Sequence, residues 1–176
     1  MPTARAWSRP RGIVTLPERI TPARLLLHPA GWIALGGGAG LLPAPGTFGT
    51  LLALPVYWWL LADLPFTLQC LLWLVLAPLC AWAAGFASRR LDRPDPGAVV
   101  VDETHAFLGM LIVLPPELFW QALGFLLFRV LDIAKPPPIR GVDRRTRGGL
   151  GIMLDDWLAA GLGLLLLALL QRLTSI

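Results

Sequence analysis

A long stretch without basic residues dominates the first half of the chain. Between Arg24 and Arg89 there is no lysine or arginine, and the only acidic residue is Asp63. Over the whole chain 56% of residues are hydrophobic and 15% are charged, whereas soluble domains average about 45–50% and about 25%. Because a helix needs about 20 apolar residues to cross a bilayer, the stretch predicts a membrane hairpin that turns near Asp63. This composition excludes a disordered chain or a small disulfide-stabilised domain.

The basic residues fall into clusters that predict a topology. Five arginines precede the first apolar stretch, three follow the second, and the third cluster is Lys135, Arg140, Arg144, Arg145 and Arg147. The positive-inside rule makes these clusters cytoplasmic, which predicts an all-α, polytopic membrane bundle of four to five short spans. The expected spans are residues 49–62, 66–87, 98–114, 117–134 and 156–173. Two of them, 49–62 and 98–114, are short enough to be partial or re-entrant. We expect residues 1–24 to form a basic cytoplasmic arm and residues 25–176 to form one membrane-embedded domain.

Two acidic pairs, Asp102-Glu103 and Asp155-Asp156, interrupt apolar sequence. An aspartate at mid-bilayer costs about 2.5–3.5 kcal/mol, so the sequence must provide something that offsets these charges. One interpretation is helix capping, in which the positive end of the helix dipole favours a carboxylate. The other is a shared divalent cation, since Mg²⁺ is commonly held by one or two carboxylates together with substrate phosphate. Two adjacent acids on two separate segments favour the cation.

Polar residues also mark the end of the fourth expected span. Arg129, Asp132 and Lys135 share one face at helical spacing, and Pro136 is expected to end the helix. Arg129 and Lys135 can contact phosphate, with Asp132 either positioning Arg129 or joining the metal ligands. They can also form an ordinary ion pair and a lysine that reaches the interface. These residues alone favour the ion pair, and the two acidic pairs make the interpretations even.

Other candidates are weaker. Thr47 and Thr50 can donate to phosphate or ligate a metal, but threonines are also common in turns and helix N-caps. His105 can act as an acid or a base, although a histidine in a membrane helix more often bonds to a neighbour. Residues Gly36–Gly40 lack the Gly-Lys-Ser/Thr of a phosphate loop, which favours close helix packing or a flexible cytoplasmic entry over phosphate binding. In the expected topology the acids, hydroxyls and cations lie at the cytoplasmic level, which suits a phosphorylated ligand whose apolar part stays in lipid.

Three blocks of sequence, in this order, resemble the phosphatidylglycerophosphatase A family. They are PAPGTFGT (residues 43–50), Asp102-Glu103, and residues 128–156, which include FRVLDIAKP and GGLGIMLDD. The likeness extends over roughly residues 31–172. It implies a multi-pass phosphatase of the bacterial inner membrane that depends on Mg²⁺. Its expected reaction removes the terminal phosphate of phosphatidylglycerophosphate to leave phosphatidylglycerol, with the active site toward the cytoplasm.

The site assignment follows from the acidic pairs and from this resemblance. The expected catalytic residues and Mg²⁺ ligands are Asp102, Glu103, Asp155 and Asp156; the expected phosphate-binding residues are Arg129, Lys135 and Thr47, supported by Asp132. Two departures from the family pattern concern packing and headgroup contact. Ala106 stands where the family usually has glycine, and Pro136-Pro137-Pro138 replaces a proline-tryptophan-proline.

We expect direct attack by water on the phosphate, with an aspartyl intermediate left open. The expected partners are phosphatidylglycerophosphate and the bilayer, with no nucleic acid and no protein partner evident. A phosphoalcohol transferase of lipid synthesis and a small membrane transporter are the alternatives. The transferase would need a longer array of aspartates, and a transporter would need polar groups in the far halves of the spans. The aspartate array is missing from the sequence, and the far halves of the spans carry almost no polar groups.

Overall fold

The computed structural model describes residues 20–137, 139 and 148–174. Within these ranges there is no strand, so the all-α prediction is confirmed. The α-helices are α1 (Pro22–Leu25), α2 (Pro29–Ala34), α3 (Pro45–Val56), α4 (Phe66–Leu91), α5 (Val101–Val113), α6 (Leu118–Ala134) and α7 (Gly149–Thr174). Most of the expected arm, residues 1–19, lies outside the described residues, as do Arg140, Arg144, Arg145 and Arg147 of the third basic cluster.

The short helix α5 lies at the centre of the bundle. It contacts α2, α3, α4, α6 and α7, and most of its side chains are buried, including Phe107, Met110 and Leu111. Asp102 and Glu103 lie in its first turn, where the positive end of the helix dipole stabilises carboxylates. Its 13 residues extend only about 20 Å, less than the ~30 Å of a bilayer core. The expected span 98–114 therefore corresponds to a buried helix that is shorter than a bilayer core.

Helices α4 and α7 are long and apolar enough to cross a membrane, as judged by length and composition. Each has 26 residues, or about 39 Å. Large apolar side chains project from both; Leu74 is 62% exposed and Leu165 is 66% exposed. Exposed apolar surface of this extent is typical of contact with lipid or a partner. These two helices support the classification of the chain as a membrane protein, and they correspond to the expected spans 66–87 and 156–173.

Two expected boundaries are wrong. Helix α7 begins at Gly149 and not at residue 156, so Asp155 and Asp156 lie in its second turn. They cannot be its N-caps, and the capping interpretation fails for this pair. The expected span 49–62 corresponds to α3, which starts at Pro45 and continues directly into a π-helical turn, Tyr57–Leu61.

Glycines allow the helices that carry the site to approach closely. A Cβ atom at Gly149 would overlap the carbonyl oxygen of Ala81, and a Cβ atom at Gly85 would lie 3.1 Å from the Gly149 nitrogen. The first turn of α7 therefore packs directly on the backbone of α4. In the same way, a Cβ atom at Gly40 would overlap the carbonyl oxygen of Ala98, which confirms that the Gly36–Gly40 run serves close packing.

A hydrogen-bonded group around His105 joins α4, α5 and α7. The Trp157 indole N–H donates to His105 Nδ1 at 3.0 Å, so Nε2 carries the ring hydrogen and donates to the Trp73 carbonyl oxygen at 3.0 Å. The Trp73 indole N–H in turn donates to the His105 carbonyl oxygen at 2.9 Å. Both ring nitrogens are occupied, which confirms the interpretation that His105 bonds to its neighbours.

Candidate active site

Three carboxylates that are far apart in sequence meet at one place. Asp102 and Glu103 come from the first turn of α5, and Asp156 comes from the second turn of α7. One side-chain oxygen of each lies within 4.8 Å of the others. Asp102 and Asp156 are buried, with 6% and 3% of their surface exposed. The fold thus concentrates negative charge inside the bundle, where water screens it poorly.

The chemistry of this carboxylate cluster suits a divalent cation. Within the described part of the chain, Asp102 Oδ1 and Glu103 Oε2 are buried and have no hydrogen-bond donor. A buried carboxylate oxygen without a partner is strongly unfavourable, and the three neighbouring carboxylates also repel one another. Oxygen ligands that converge from separate elements are what Mg²⁺ and similar hard cations bind. The three residues therefore fit a hard cation.

Arg129 lies on the rim of the carboxylate cluster. Its Nη1 atom is 2.7 Å from Asp132 Oδ2 and 3.8 Å from Glu103 Oε1. The same atom donates to Thr50 Oγ1 at 3.5 Å. Asp132 lies one helical turn beyond Arg129 on α6, so this pair holds the guanidinium toward α5. A fixed guanidinium beside a carboxylate cluster is positioned to bind the oxygens of a phosphate.

The N-terminus of α3 closes one side of the site. A Cβ atom at Gly46 would overlap Glu103 Oε1 and lie 2.9 Å from Arg129 Nη2. A glycine at this position lets the α3 backbone approach both charged groups. The first turn of α3, within the PAPGTFGT block, thus lies against the site through its backbone at Gly46, and the positive ends of the α3 and α5 dipoles are close to the negative cluster.

Thr50 contributes more contacts at the site than Thr47. Thr50 is fully buried; its hydroxyl donates to the Gly46 carbonyl oxygen at 2.8 Å and accepts from Arg129. Thr47 is half-buried, and its backbone N–H donates to the Ala44 carbonyl oxygen at 3.0 Å. On sequence grounds both threonines are candidates, and Thr47 is the one assigned to phosphate binding; that assignment remains a prediction. The sequence signal that separates them is the four-residue spacing from Gly46 to Thr50. A threonine hydroxyl in a helix often donates to the carbonyl oxygen four residues earlier.

Asp155 and Lys135 form an ion pair beside the cluster. Lys135 Nζ donates to Asp155 Oδ2. Lys135 ends α6 in a left-handed conformation with φ = 40°, and the helix stops before Pro136 as expected. Asp155 therefore lies next to Asp156 in sequence but faces the ammonium group of Lys135. Asp102, Glu103 and Asp156 converge on one another instead. The assignment of Asp155 as a metal ligand remains a prediction.

These features define a helical protein with lipid-length helices and an internal cluster of acids that can hold a metal. The sequence model of the family described as PgpA: Phosphatidylglycerophosphatase A matches residues 32–171. The chain belongs to the phosphatidylglycerophosphatase A family.

Relatives of this chain are similar to it over most of their length. The phosphatidylglycerophosphatase A of Escherichia coli K12 is 40% identical over 132 residues, which cover 72% of this chain and 74% of the relative. The protein of the same name from Haemophilus influenzae is 40% identical over 144 residues, covering 77% and 84%. A protein of Bacteroides thetaiotaomicron with the provisional name phosphatidylinositol-3-phosphatase is 38% identical over 145 residues, covering 77% and 89%. No solved structure matches the chain.

Proposed function

We propose that this chain is a Mg²⁺-dependent lipid phosphatase that hydrolyses the terminal phosphomonoester of phosphatidylglycerophosphate to phosphatidylglycerol and phosphate. One observation carries the proposal: oxygens of Asp102, Glu103 and Asp156 lie within 4.8 Å of one another beside Arg129. The names of two relatives at 40% identity support this substrate. A carboxylate cluster next to an arginine suits a phosphate group that is bound together with a cation.

The three clustered carboxylates would hold the Mg²⁺, with Asp155 as a fourth candidate ligand. A bound Mg²⁺ neutralises phosphate charge and lowers the pKa of water that it binds. The rigid placement of Asp102 and Glu103 at the start of a buried helix prepares this site before substrate arrives.

The basic side chains would bind and orient the phosphate. Arg129, fixed by Asp132 and Thr50, would direct its guanidinium at two phosphoryl oxygens, and Lys135 would add a charge from the end of α6. Direct attack by water forms the new P–O bond on the side opposite the glycerol oxygen. That oxygen leaves with the lipid and takes up a proton.

The arrangement of α4 and α7 supports a site on the cytoplasmic side of the bacterial inner membrane. The contact between Gly85 and Gly149 brings the C-terminal end of α4 to the N-terminal end of α7. Arg89 and Arg90 therefore lie at the same end of the bundle as Asp156. Because arginines next to membrane helices favour the cytoplasmic side, we place the carboxylate cluster there, in a multi-pass protein with the four to five expected spans.

Phosphate release by the purified protein in detergent tests the proposal. We expect phosphatidylglycerophosphate to be hydrolysed with Mg²⁺ and not with excess EDTA, and activity to return when Mg²⁺ is restored. Phosphate release that is unchanged by EDTA would overturn the role of the cation. Absence of release from every lipid phosphate would overturn the function itself.

A second substrate has a specific reason to be included. The Bacteroides thetaiotaomicron relative bears a name that specifies a 3-phosphorylated inositol lipid, and the same carboxylates and arginine could serve that phosphomonoester. Phosphatidylinositol 3-phosphate and phosphatidic acid therefore belong in the substrate panel. A higher kcat/KM for phosphatidylinositol 3-phosphate than for phosphatidylglycerophosphate would replace the first substrate with the second.

A further inference from the structure

An apolar groove lies between α4, α5 and α7. Its volume is about 400 Å³, within the range of small-molecule binding sites. Trp73 of α4, Gly109 and Val113 of α5, and Gly161 and Leu164 of α7 line it. The lining is almost entirely apolar, and two small residues, Gly109 and Gly161, leave the space open. No part of the proposed reaction uses this groove.

The groove continues the faces of the two helices that carry the acids. On α5, Ala106, Gly109 and Val113 follow Asp102 at four, seven and eleven residues, which keeps them on one face. On α7, Ala160 and Leu164 follow Asp156 at four and eight residues. Since both helices run away from the acids in the same direction, the groove starts one helical turn beyond the carboxylate cluster.

We propose that this groove binds an acyl chain of the phosphorylated lipid substrate. The inference rests on the proposed function, because it places the lipid tail relative to the phosphate site. A lipid whose phosphate lies at the carboxylate cluster has its tail on the hydrocarbon side of the cluster, where the groove is. Walls of leucine, valine and tryptophan favour an acyl chain and offer almost nothing to a polar ligand.

The dimensions agree with a chain in one leaflet. From Ala106 to Val113 the groove follows α5 for about 10 Å, and one leaflet of the hydrocarbon core is about 15 Å deep. The groove would hold the part of the chain closest to the headgroup and leave the remainder in the bilayer. Binding there would position the phosphate, and short-chain lipids would lose this contribution.

A side chain that enters the groove provides the first test. A Cβ atom at Gly161 would have no neighbouring atom within 4 Å, so Gly161→Leu directs a side chain into the groove without displacing the backbone. The measured quantity is the ratio of kcat/KM for phosphatidylglycerophosphate with oleoyl chains to that with hexanoyl chains. We expect Gly161→Leu to lower this ratio about tenfold, as for a changed contact in an apolar pocket.

Leu166→Phe is the matched control. Leu166 is also on α7, is 40% exposed, and lies on the side of the helix away from the groove. The substitution adds apolar volume to the same helix, and we expect the variant to keep the wild-type ratio of kcat/KM for the two chain lengths. An unchanged ratio in Gly161→Leu, or an equal fall of the ratio in both variants, would overturn the assignment of the groove to an acyl chain.

Photolabelling gives a test that does not depend on the folding of a variant. The probe is phosphatidylglycerophosphate with a diazirine in one acyl chain, added to the wild-type protein in vesicles. We expect labelling at groove residues such as Trp73 and Leu164, with competition by unlabelled phosphatidylglycerophosphate and none by phosphatidylcholine. Competition by both lipids means that the groove holds bulk lipid, and labelling spread evenly over α4 and α7 means that it holds no specific chain. Either result overturns the proposal.

The two proposals fail in different ways. If wild-type protein hydrolyses neither lipid, the proposed function fails. If it hydrolyses both lipids and the chain-length ratio does not respond to Gly161→Leu, the function stands and the groove assignment fails.

Discussion

At the scale of single residues, the site depends on how each charged side chain is paired. Asp102 and Glu103 are neighbours in sequence, and Asp156 joins them from α7. Asp132 is paired with Arg129 on the same helix, and Asp155 is paired with Lys135. Glu103 also lies 3.8 Å from Arg129, so it both faces a basic side chain and converges with the acids that can bind a cation.

Asparagine at a clustered acid is the first test at this scale. Asp102→Asn and Asp156→Asn keep nearly the same volume but remove a charged ligand, so we expect phosphate release to fall by at least about a hundredfold. Asp63→Asn is the control, because Asp63 is exposed in the turn before α4, away from the cluster. The measurement is kcat/KM together with the amount of membrane-inserted protein. Near-normal activity in Asp102→Asn or Asp156→Asn, with normal insertion, would contradict the metal assignment.

The two threonines should differ in effect. Thr50 contacts Arg129 and the Gly46 carbonyl oxygen, so Thr50→Ala should lower kcat/KM about tenfold by loosening the guanidinium, roughly the 1.4 kcal/mol of one hydrogen bond to a charged group. Thr50→Ser should restore most of the activity. Thr47→Ala should change it by less than about threefold, because alanine keeps the backbone N–H that donates to the Ala44 carbonyl oxygen. If Thr47→Ala is as damaging as Asp156→Asn, Thr47 binds substrate or metal directly.

At the scale of helices, the position of Asp156 depends on how α7 packs against α4. The first turn of α7 lies against Ala81 and Gly85, at a distance that only glycine permits at Gly149. The His105 hydrogen bonds to Trp73 and Trp157 then fix α5 to both helices. These contacts determine the separation between Asp102 on α5 and Asp156 on α7.

Gly149→Ala tests this dependence. The added Cβ atom would overlap the Ala81 carbonyl oxygen, so α7 must move away from α4 and take Asp156 with it. We expect a loss of about 1–3 kcal/mol in the free energy of unfolding and a fall in kcat/KM of at least about tenfold. Gly97→Ala is the control, because a Cβ atom there would have no neighbour within 4 Å. Equal activity and melting temperature in the two variants would show that the contact between α4 and α7 tolerates a methyl group at residue 149.

At the scale of the whole molecule, a bundle in which three carboxylates converge, two of them buried, should be less stable without a cation. A ligand that binds only the folded state adds RT ln(1 + [L]/Kd), or about 2.7 kcal/mol at a hundred times Kd. We therefore expect Mg²⁺ to raise the melting temperature of the wild-type protein in detergent. The shift should be much smaller in Asp156→Asn and unchanged in Asp63→Asn. A shift of the same size in all three proteins would indicate a general salt effect.

Much of the molecule could be predicted from local sequence. Apolar length identified α4 and α7, because a helix that contacts lipid must be apolar over its whole length. Pro136 marked the end of α6, and the acidic pairs stood out because charge is rare in such surroundings. The glycine run and His105 were also interpreted correctly, as packing and hydrogen bonding.

Other features depended on contacts between distant segments. Residues 98–114 had the composition of a span, but the surrounding helices make α5 a buried central helix of 13 residues. The start of α7 at Gly149 was missed because glycines are poor helix formers, and here packing against α4 overrides that preference. The sequence assigns Thr47 to the phosphate, whereas the contact with Arg129 falls on Thr50, which depends on how α6 packs beside α3.

The amino-acid sequence by itself determined that the chain is helical, that lipid-length helices form, and which acids and cations are available for chemistry. These properties follow from composition and periodicity, which act over a few neighbouring residues. Only the tertiary structure decided that Asp156 joins Asp102 and Glu103 while Asp155 faces Lys135. Adjacent residues on a helix point about 100° apart, so which of the two acids meets α5 depends on how α7 is rotated against its neighbours.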